Sequence, residues 1–371
     1  MNLAHKIRLV PTPEQETYFK KACGINRFSY NWALAKWNED YEAGLKPNAN
    51  KLDKEFNKIK KTEYPWTAEV TKNASQRAIL NVGTAFKRYF KKEGGKPKFK
   101  KKYGSKDSFY LANTEIKLDG KKVRVPKLGW VKMREELRFK GEIQNAVVSR
   151  SAHKWHIAIA VKTYEEYEEK PDKPATGVDL GISALATLSN GVKIEGPKPY
   201  KHLERRLARL NRRMHKKKLG SNNRRKAKEK VARLHDKIAC IRNDALHKLT
   251  HYLTDNFGKI AIENLNVAGM VKNRRMAKSI MDMGWGEFKR QLDYKAVLKF
   301  CEIGKVDRFF PSSKMCSGCG NIKKDLTLND RVYRCGKCGL VIDRDMNAAI
   351  NILEEAFKEA KDRYKRKSKK S

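Results

Sequence analysis

Two Cys-x-x-Cys pairs place the tightest limit on what this chain can become. Cys316-Ser-Gly-Cys319 and Cys335-Gly-Lys-Cys338 stand fifteen residues apart. Each pair lets two thiolates converge from one tight turn. Four thiolates close a tetrahedron around Zn²⁺ and leave no position for a catalytic water. Gly320 and Gly339 follow the second cysteine of each pair, where the knuckle backbone needs positive φ. Two disulfides, or four unrelated core thiols, are the other readings of these residues. The start, MNLAHKIRLVPTPEQ, has no signal-peptide apolar stretch, and no apolar run approaches the ~18 residues that span a bilayer. The expected setting is therefore reducing and cytoplasmic (nucleoid-associated if the source is prokaryotic), with no membrane partner, and there thiols bind metal before they form disulfides. So small a finger cannot build its own core, and one structural Zn²⁺ would fold it. Cys23, Cys240 and Cys301 sit on apolar faces and read as core residues.

At ~150 residues per domain, 371 residues make two or three domains. Residues 5–10 read as a strand, stopped by Pro11 and Pro13. From there to residue 95 the spacing is helical, broken near 44–49, with a strong amphipathic stretch through Ala78, Ile79, Val82, Phe86 and Phe90. Short strand-like runs follow at 108–111, 115–118, 123–125, 146–149 and 155–161, punctuated by turn signals such as Asp119-Gly120. The early strand is expected to join this β-rich unit, which makes the helical segment an insertion. An acidic, Pro-containing connector at 163–176 marks a boundary. Beyond it the sequence predicts strands at 177–180 and 184–189 and two helices across 200–253. Strands at 258–263 and 304–310 follow, with a helix near 285–301 between them. A last helix starts near Asp345 and runs into the tail KDRYKRKSKKS.

Three acids stand where acids are unexpected. Asp179 lies in the apolar run Gly-Val-Asp-Leu-Gly-Ile, Glu263 closes Ile-Ala-Ile-Glu, and Asp345 enters the last helix. An unpaired buried carboxylate is costly, so such groups pair with a base or bind metal. Converging oxygens suit Mg²⁺ or Mn²⁺, and paired ions ~3.5–4 Å apart cleave phosphodiesters in line. Taken singly, Asp343 or Asp345 could be a helix N-cap, and Asp179 a turn residue.

Charge indicates the partner. Lys+Arg number 84 against 42 Asp+Glu, a net +42, and such a field repels itself unless a polyanion neutralises it. Residues 201–230 hold fourteen Lys/Arg and two Glu. Phosphate contact through residues such as Arg205, Arg209, Arg212 and Arg213 is favoured there over a merely solvated face. Residues 96–106, with Lys100, interleave lysines with Phe99 and Tyr103, a pattern that suits backbone contact plus base stacking.

Taken together, Asp179 in GVDLGI, Glu263 in IENL, the inserted CxxC…CxxC and Asp345 in DRDMNAAINI resemble the TnpB (OrfB) family. These transposon-encoded proteins are regarded as ancestors of the type V CRISPR effectors. KIRLVPTPEQ, RFSYNWAL at 27–34 and GGKPKFKKK at 94–102 extend the likeness over nearly the whole chain. The resemblance implies an α/β multidomain protein. An RNase H-like (RuvC) nuclease with an inserted zinc ribbon would occupy 171–371, the ribbon lying at about 311–342 before a basic tail. A wedge β-barrel would occupy 1–11 and 96–170, interrupted by a helical recognition domain at 12–95. It implies a triad of Asp179, Glu263 and Asp345, the second Asp of DRD being preferred to Asp343, with Mg²⁺ (or Mn²⁺). It also implies a guide RNA derived from the transposon end and cleavage of double-stranded DNA beside a short adjacent motif. The helix with Lys72, Gln76 and Arg77 would face that duplex, and Asn31, Gln76 and Ser108 would contact base or phosphate. Arg331 is a candidate for the scissile phosphate, or else a solvated finger residue. Arg344 and the tail would touch RNA or only neutralise it.

Two other functions fit parts of the pattern. A nuclease-silent, RNA-guided DNA-binding regulator keeps the fold without its triad, whereas all three acids stand here. A zinc-ribbon RNA-binding protein without a guide would have no sequence-defined DNA target. No His pair with a catalytic Tyr supports strand transfer, and no serine-recombinase signature is visible. Oligomeric state has no sequence signal.

Overall fold

A computed structural model describes residues 2–102, 106–152, 154–163, 173–327 and 330–358. Tyr103, most of the acidic connector and the basic tail lie outside the described residues. The chain divides into two compact units, Met1–Glu166 and Tyr167–Ser371. Among the described residues no helix is long and apolar enough to cross a membrane.

The first unit is built on an antiparallel sheet of seven strands: β1 (Asn2–Val10), β2 (Ser108–Ala112), β3 (Lys117–Asp119), β4 (Lys122–Val125), β5 (Gly129–Met133), β6 (Glu142–Ser151) and β7 (Lys154–Lys162). Their order is β2-β6-β7-β1-β5-β4-β3. Side chains alternate as the pleat requires, so Ile7 and Leu9 of β1 and Trp155, Ile157, Ile159 and Val161 of β7 fall on the buried face. β1 pairs Ile7 with Ile157 and Leu9 with Met133. Helices α1 (Pro13–Glu42), α2 (Ala49–Ile59) and α3 (Asn73–Phe90) therefore sit between two strands of one sheet. Thr12 and Gln15 form a capping box that starts α1. The three helices share a core of Tyr30, Leu34, Trp37, Phe56, Ile79 and Phe86, with Trp37 stacked on Phe86 at 4.7 Å. β5 has no counterpart among the expected strands. Its exposed Trp130 masks the alternation that buries Val131 and Met133.

The second unit holds a five-stranded sheet of β8 (Ala175–Asp179), β9 (Ala186–Leu188), β10 (Lys193–Ile194), β11 (Lys259–Glu263) and β12 (Glu302–Val306), ordered β10-β9-β8-β11-β12. β8, β11 and β12 are parallel, while β9 and β10 run antiparallel. The crossover from β10 to β11 is the helical pair α4 (Pro199–His215) and α5 (Asn222–Asn256). The crossover from β11 to β12 contains α6 (Val267–Met270), α7 (Arg274–Met283) and α8 (Trp285–Lys299). A two-stranded ribbon, β13 (Val332–Arg334) and β14 (Val341–Asp343), leads into α9 (Arg344–Ala356). Val178, Ile260 and Ile262 pack against Leu249 and Leu253 of α5 and Phe288 and Leu292 of α8. The opposite face, through Ala261 and Val306, packs on Ile352 of α9.

Two expectations are corrected. The strand placed at 304–310 runs from Glu302 to Val306 instead. The Asp307 carboxylate accepts the Phe309 N–H at 2.9 Å, its carbonyl accepts the Phe310 N–H, and this turn ends the strand. Cys240 is exposed, whereas Cys23 is buried. The buried stripe of α5 passes through Val231, Leu234, Ile238 and Leu246, and Cys240 falls beside it.

Candidate active site and metal centre

Asp179 and Glu263 each end a strand, and β8 and β11 are parallel neighbours with Val178 opposite Ile262. The two acids therefore stand side by side at the C-terminal ends of adjacent strands. Val178 and Ile262 face α5 and α8, so alternation turns both carboxylates to the α9 face. Glycines let α9 approach closely. A Cβ on Gly177 would lie 1.9 Å from the Ala349 carbonyl oxygen, and one on Gly304 would lie 2.8 Å from the Ala356 Cβ. That contact brings the start of α9, and with it Asp345, to the ends of β8 and β11.

The two aspartates of Asp343-Arg344-Asp345 have different surroundings. Asp343 is the N-cap of α9, accepting from the backbone N–H of Asp345 and Met346, and it pairs with Lys193 at 2.6 Å. Those bonds hold its carboxyl below the usual range, although its own partial burial acts against them. Asp345 meets Arg344, whose Nη2 and Nε lie 3.1 and 3.3 Å from its Oδ1. Glu263 Oε1 accepts the Ser312 hydroxyl at 2.6 Å. Burial, then the charges of Glu263 and Asp345, push the Asp179 carboxyl up to about 7, against the opposing pull of Arg344. Arg344, expected to touch RNA or only neutralise it, is thus set against this acid cluster by its bonds to Asp345. The three carboxylates are hard oxygen donors, which suit Mg²⁺ or Mn²⁺. The carboxylate oxygens are not gathered into one tight set. Among the described residues only the four cysteines bring metal-ligating atoms all within 4.8 Å of one another.

At that second centre, Cys316 and Cys338 have their Sγ atoms 3.6 Å apart, as do Cys319 and Cys335. A disulfide needs about 2.05 Å. A tetrahedron with Zn–S bonds of about 2.3 Å has an edge near 3.8 Å, so the residues fit zinc. Gly320 and Gly339 take φ of 72° and 75°. The backbone N–H groups of Cys338 and Lys337 lower the Cys335 thiol to about 6, whereas burial raises Cys316.

The sequence reading missed three buried polar side chains that tie the two centres together. Asn347 Oδ1 accepts the Ser317 N–H at 3.0 Å, and its Nδ2 donates to the Met315 carbonyl at 2.7 Å. Asn351 Nδ2 donates to the Ser312 and Met315 carbonyls, both at 2.7 Å. Both asparagines are fully buried. Residues 312–317, entering the first knuckle, are thus clamped to the helix that carries Asp345, and Ser312 in turn holds Glu263. The available signal was two amides four apart on an otherwise apolar helix face.

The candidate nucleic-acid contacts fall into separate groups. Arg77, Lys100 and Ser108 line one cleft of about 270 Å³ with Tyr110 and Asn145. Arg77 lies 5.0 Å above the Tyr110 ring. The Lys100 ammonium lies 3.9 Å from the Tyr30 ring, and burial lowers its pKa. Asn31 is spent on the backbone of residue 100, donating to its carbonyl and accepting its N–H. Lys72 immediately precedes α3, makes no side-chain capping bond, and lines a different cavity, with Thr71 and Lys127. Gln76 is exposed beside Asp53, to which it donates. Arg205, Arg209, Arg212 and Arg213 are all exposed on α4. Arg331 is exposed, and its carbonyl accepts the Arg344 N–H.

The OrfB_IS605 family model, described as "Probable transposase", matches residues 158–274. One described as "Cas12f1-like, TNB domain" matches 285–352, and one described as "Helix-turn-helix domain" matches 1–46, where the structure has β1 and the single helix α1. The chain is 33% identical over 368 residues to "Putative RNA-guided DNA endonuclease InsQ" of Escherichia coli (strain K12), covering 94% of this chain and 91% of that one. It is 34% identical to a "Putative RNA-guided DNA endonuclease" of Streptomyces pristinaespiralis, covering 94% and 88%. Its fold is similar to that of the protein in a Cas12f1-sgRNA-target DNA complex, with TM-score 0.57, 16% identity, and coverage of 92% and 83%.

Proposed function

The chain belongs to the TnpB (OrfB) family, and from that premise we propose that it is the RNA-guided DNA endonuclease of a transposable element. Asp179, Glu263 and Asp345 would be its catalytic carboxylates. The observation that carries this reading is their common placement: two acids ending adjacent parallel strands on one face, and a third at the start of the helix packed on that face. The strand order, three antiparallel strands followed by two parallel ones, supports an RNase H-like (RuvC) nuclease at 171–371, with the zinc ribbon at about 311–342. The seven-stranded sheet supports a wedge domain formed by 1–11 and 96–170 around a helical recognition domain at 12–95.

Bound Mg²⁺ or Mn²⁺ would activate water and neutralise charge on the leaving oxygen. The chain's own residues prepare that site. Asp179 stands between the charges of Glu263 and Asp345, and burial together with those charges raises its carboxyl to about 7. Ser312 fixes one oxygen of Glu263 and leaves the other to a metal. Arg344 bonds one oxygen of Asp345, and Asp343 fixes the helix end from which Asp345 projects. The thiolates of Cys316, Cys319, Cys335 and Cys338 would hold one structural Zn²⁺. The guide RNA, derived from the transposon end, would read the target by base pairing, so the protein's contacts need serve only backbone and adjacent motif. Arg77, Lys100 and Ser108, in one cleft, are the best placed of the motif candidates. The nuclease-silent reading gains nothing from a site with all three acids in place.

The test is purification with the native locus, followed by sequencing of bound RNA and cleavage of a matched duplex in Mg²⁺. Asp179→Ala is expected to keep the RNA and lose cutting by at least several orders of magnitude. Undiminished cutting by that variant would remove Asp179 from the site.

A further inference from the structure

Two adjacent phenylalanines have opposite fates at the end of β12. Phe310 packs with Ala261, Val306 and Ile352 in the core. Phe309, one residue earlier, is 85% exposed. Leaving a whole ring in water forgoes the gain that buries its neighbour. The turn that presents it is held at several points. The Asp307 carboxylate and carbonyl accept the N–H groups of Phe309 and Phe310. Both ends of the turn are tied to the strand of Glu263: Val306 is its register partner and accepts the Asn264 N–H, while Ser312 donates to its carboxylate. The neighbouring Arg308 guanidinium lies 5.8 Å from the Phe309 ring. An exposed aromatic with a cation beside it, on a turn whose two ends are tied to the strand of Glu263, is suited to take a flat ring whose backbone carries phosphate.

We infer that Phe309, flanked by Arg308, is a stacking platform for a nucleobase of the DNA strand whose phosphodiester lies at the carboxylates. The inference rests on the nuclease reading above and adds to it a residue that orients the substrate. Stacking is tolerant of sequence, because every base has a π-face, which is what a nuclease whose target is read by guide pairing requires. Arg308 would contact the phosphate next to the stacked base. The backbone that carries the ring is held through Phe310, Asp307 and Ser312, so the turn itself need not reorganise when a base settles on it.

The experiment pairs a protein change with a DNA change. Guide-loaded wild type, Phe309→Ala and Phe309→Trp receive matched duplexes that are intact or carry one abasic nucleotide near the cut. The abasic nucleotide is placed in the strand that does not pair with the guide, so guide pairing is untouched. Wild type is expected to slow on the order of tenfold at the position where the stacked base is missing. Phe309→Ala slows by a similar factor on intact DNA and loses nothing further on that abasic substrate, and Phe309→Trp recovers the rate. An exposed ring supports no core, so the melting temperature of Phe309→Ala stays at the wild-type value. Wild-type speed from Phe309→Ala on intact DNA overturns the inference, and so does a full second loss on the abasic substrate. A guide-loaded wild type that cuts no matched target overturns the nuclease reading, and the inference falls with it. The wild-type reaction thus separates the two failures.

Discussion

Asp179 keeps a proton, up to about pH 7, that an exposed aspartate releases near 4. The native state therefore binds more protons than the unfolded chain between those values, and linkage makes metal-free stability fall as pH rises through that window. The limiting slope for one proton is about 1.4 kcal/mol per pH unit. Thermal melts of zinc-replete, Mg²⁺-free protein should show that decline, and Asp179→Asn, which has no proton to lose, should be the flatter and the more stable above pH 6. Mg²⁺ should stabilise the wild type more as pH rises, since the cation competes with the proton for the same oxygens. Identical pH slopes for wild type and Asp179→Asn would show that this carboxyl is not strained. The same group marks what the sequence can disclose. An acid ending an apolar strand stands out from its neighbours, as Asp179 and Glu263 do. Ser312, Asn347 and Asn351 do not, because small polar residues are common in loops and helices and only the fold shows that they are buried.

At the scale of elements, α9 lies against the sheet through glycine. Gly177 faces the Ala349 carbonyl so closely that no Cβ fits between β8 and the helix. Gly177→Ala must push α9 outward, and α9 carries Asp345 at one end and the knuckle clamps Asn347 and Asn351 along its length. Overpacking of this kind costs about 1–3 kcal/mol, a lowering of the melting temperature of roughly 2–12 °C for a unit of this size. Cleavage should fall further than stability, because displacing reacting groups by ~1 Å can cost on the order of a hundredfold. Bound RNA should be retained. Wild-type cleavage by a folded Gly177→Ala protein would mean that this contact does not position Asp345. The periodicities that make β7 a strand and α5 a helix are local, and they could be read from the sequence. The length of β12 could not. Phe309 and Phe310 look like more strand, and it is the Asp307 side chain, bonding its own turn, that ends it. The ribbon's cysteines were legible from spacing because metal geometry, rather than packing, dictates it.

Over the whole molecule, the +42 charge needs a place where folding does not depend on it, and α4 with α5 provides one. Their apolar seam joins Leu207 to Val231, Leu234 and Ile238 with partly buried Leu203, Leu210 and Met214. It leaves Arg205, Arg209, Arg212 and Arg213 exposed outside it. Among the described residues no carboxylate pairs with these four; the nearby ion pair on α4 is Glu204 with Lys278. Cations held by a seam they take no part in can be removed without unfolding the pair, and glutamine retains nearly the helix propensity of arginine. Replacing all four by glutamine should leave the melting temperature almost unchanged while weakening RNA binding. The diagnostic quantity is the salt dependence. Each lost phosphate contact removes about 0.7–0.9 from the slope of log K against log salt, so four contacts remove roughly 3. A filter-binding series across salt, with guide RNA and with a matched duplex, would also show which polyanion α4 serves, since only that slope should drop. If neither slope changes, the positive face of α4 is a solvated surface, and the charge of the molecule must be matched to nucleic acid elsewhere.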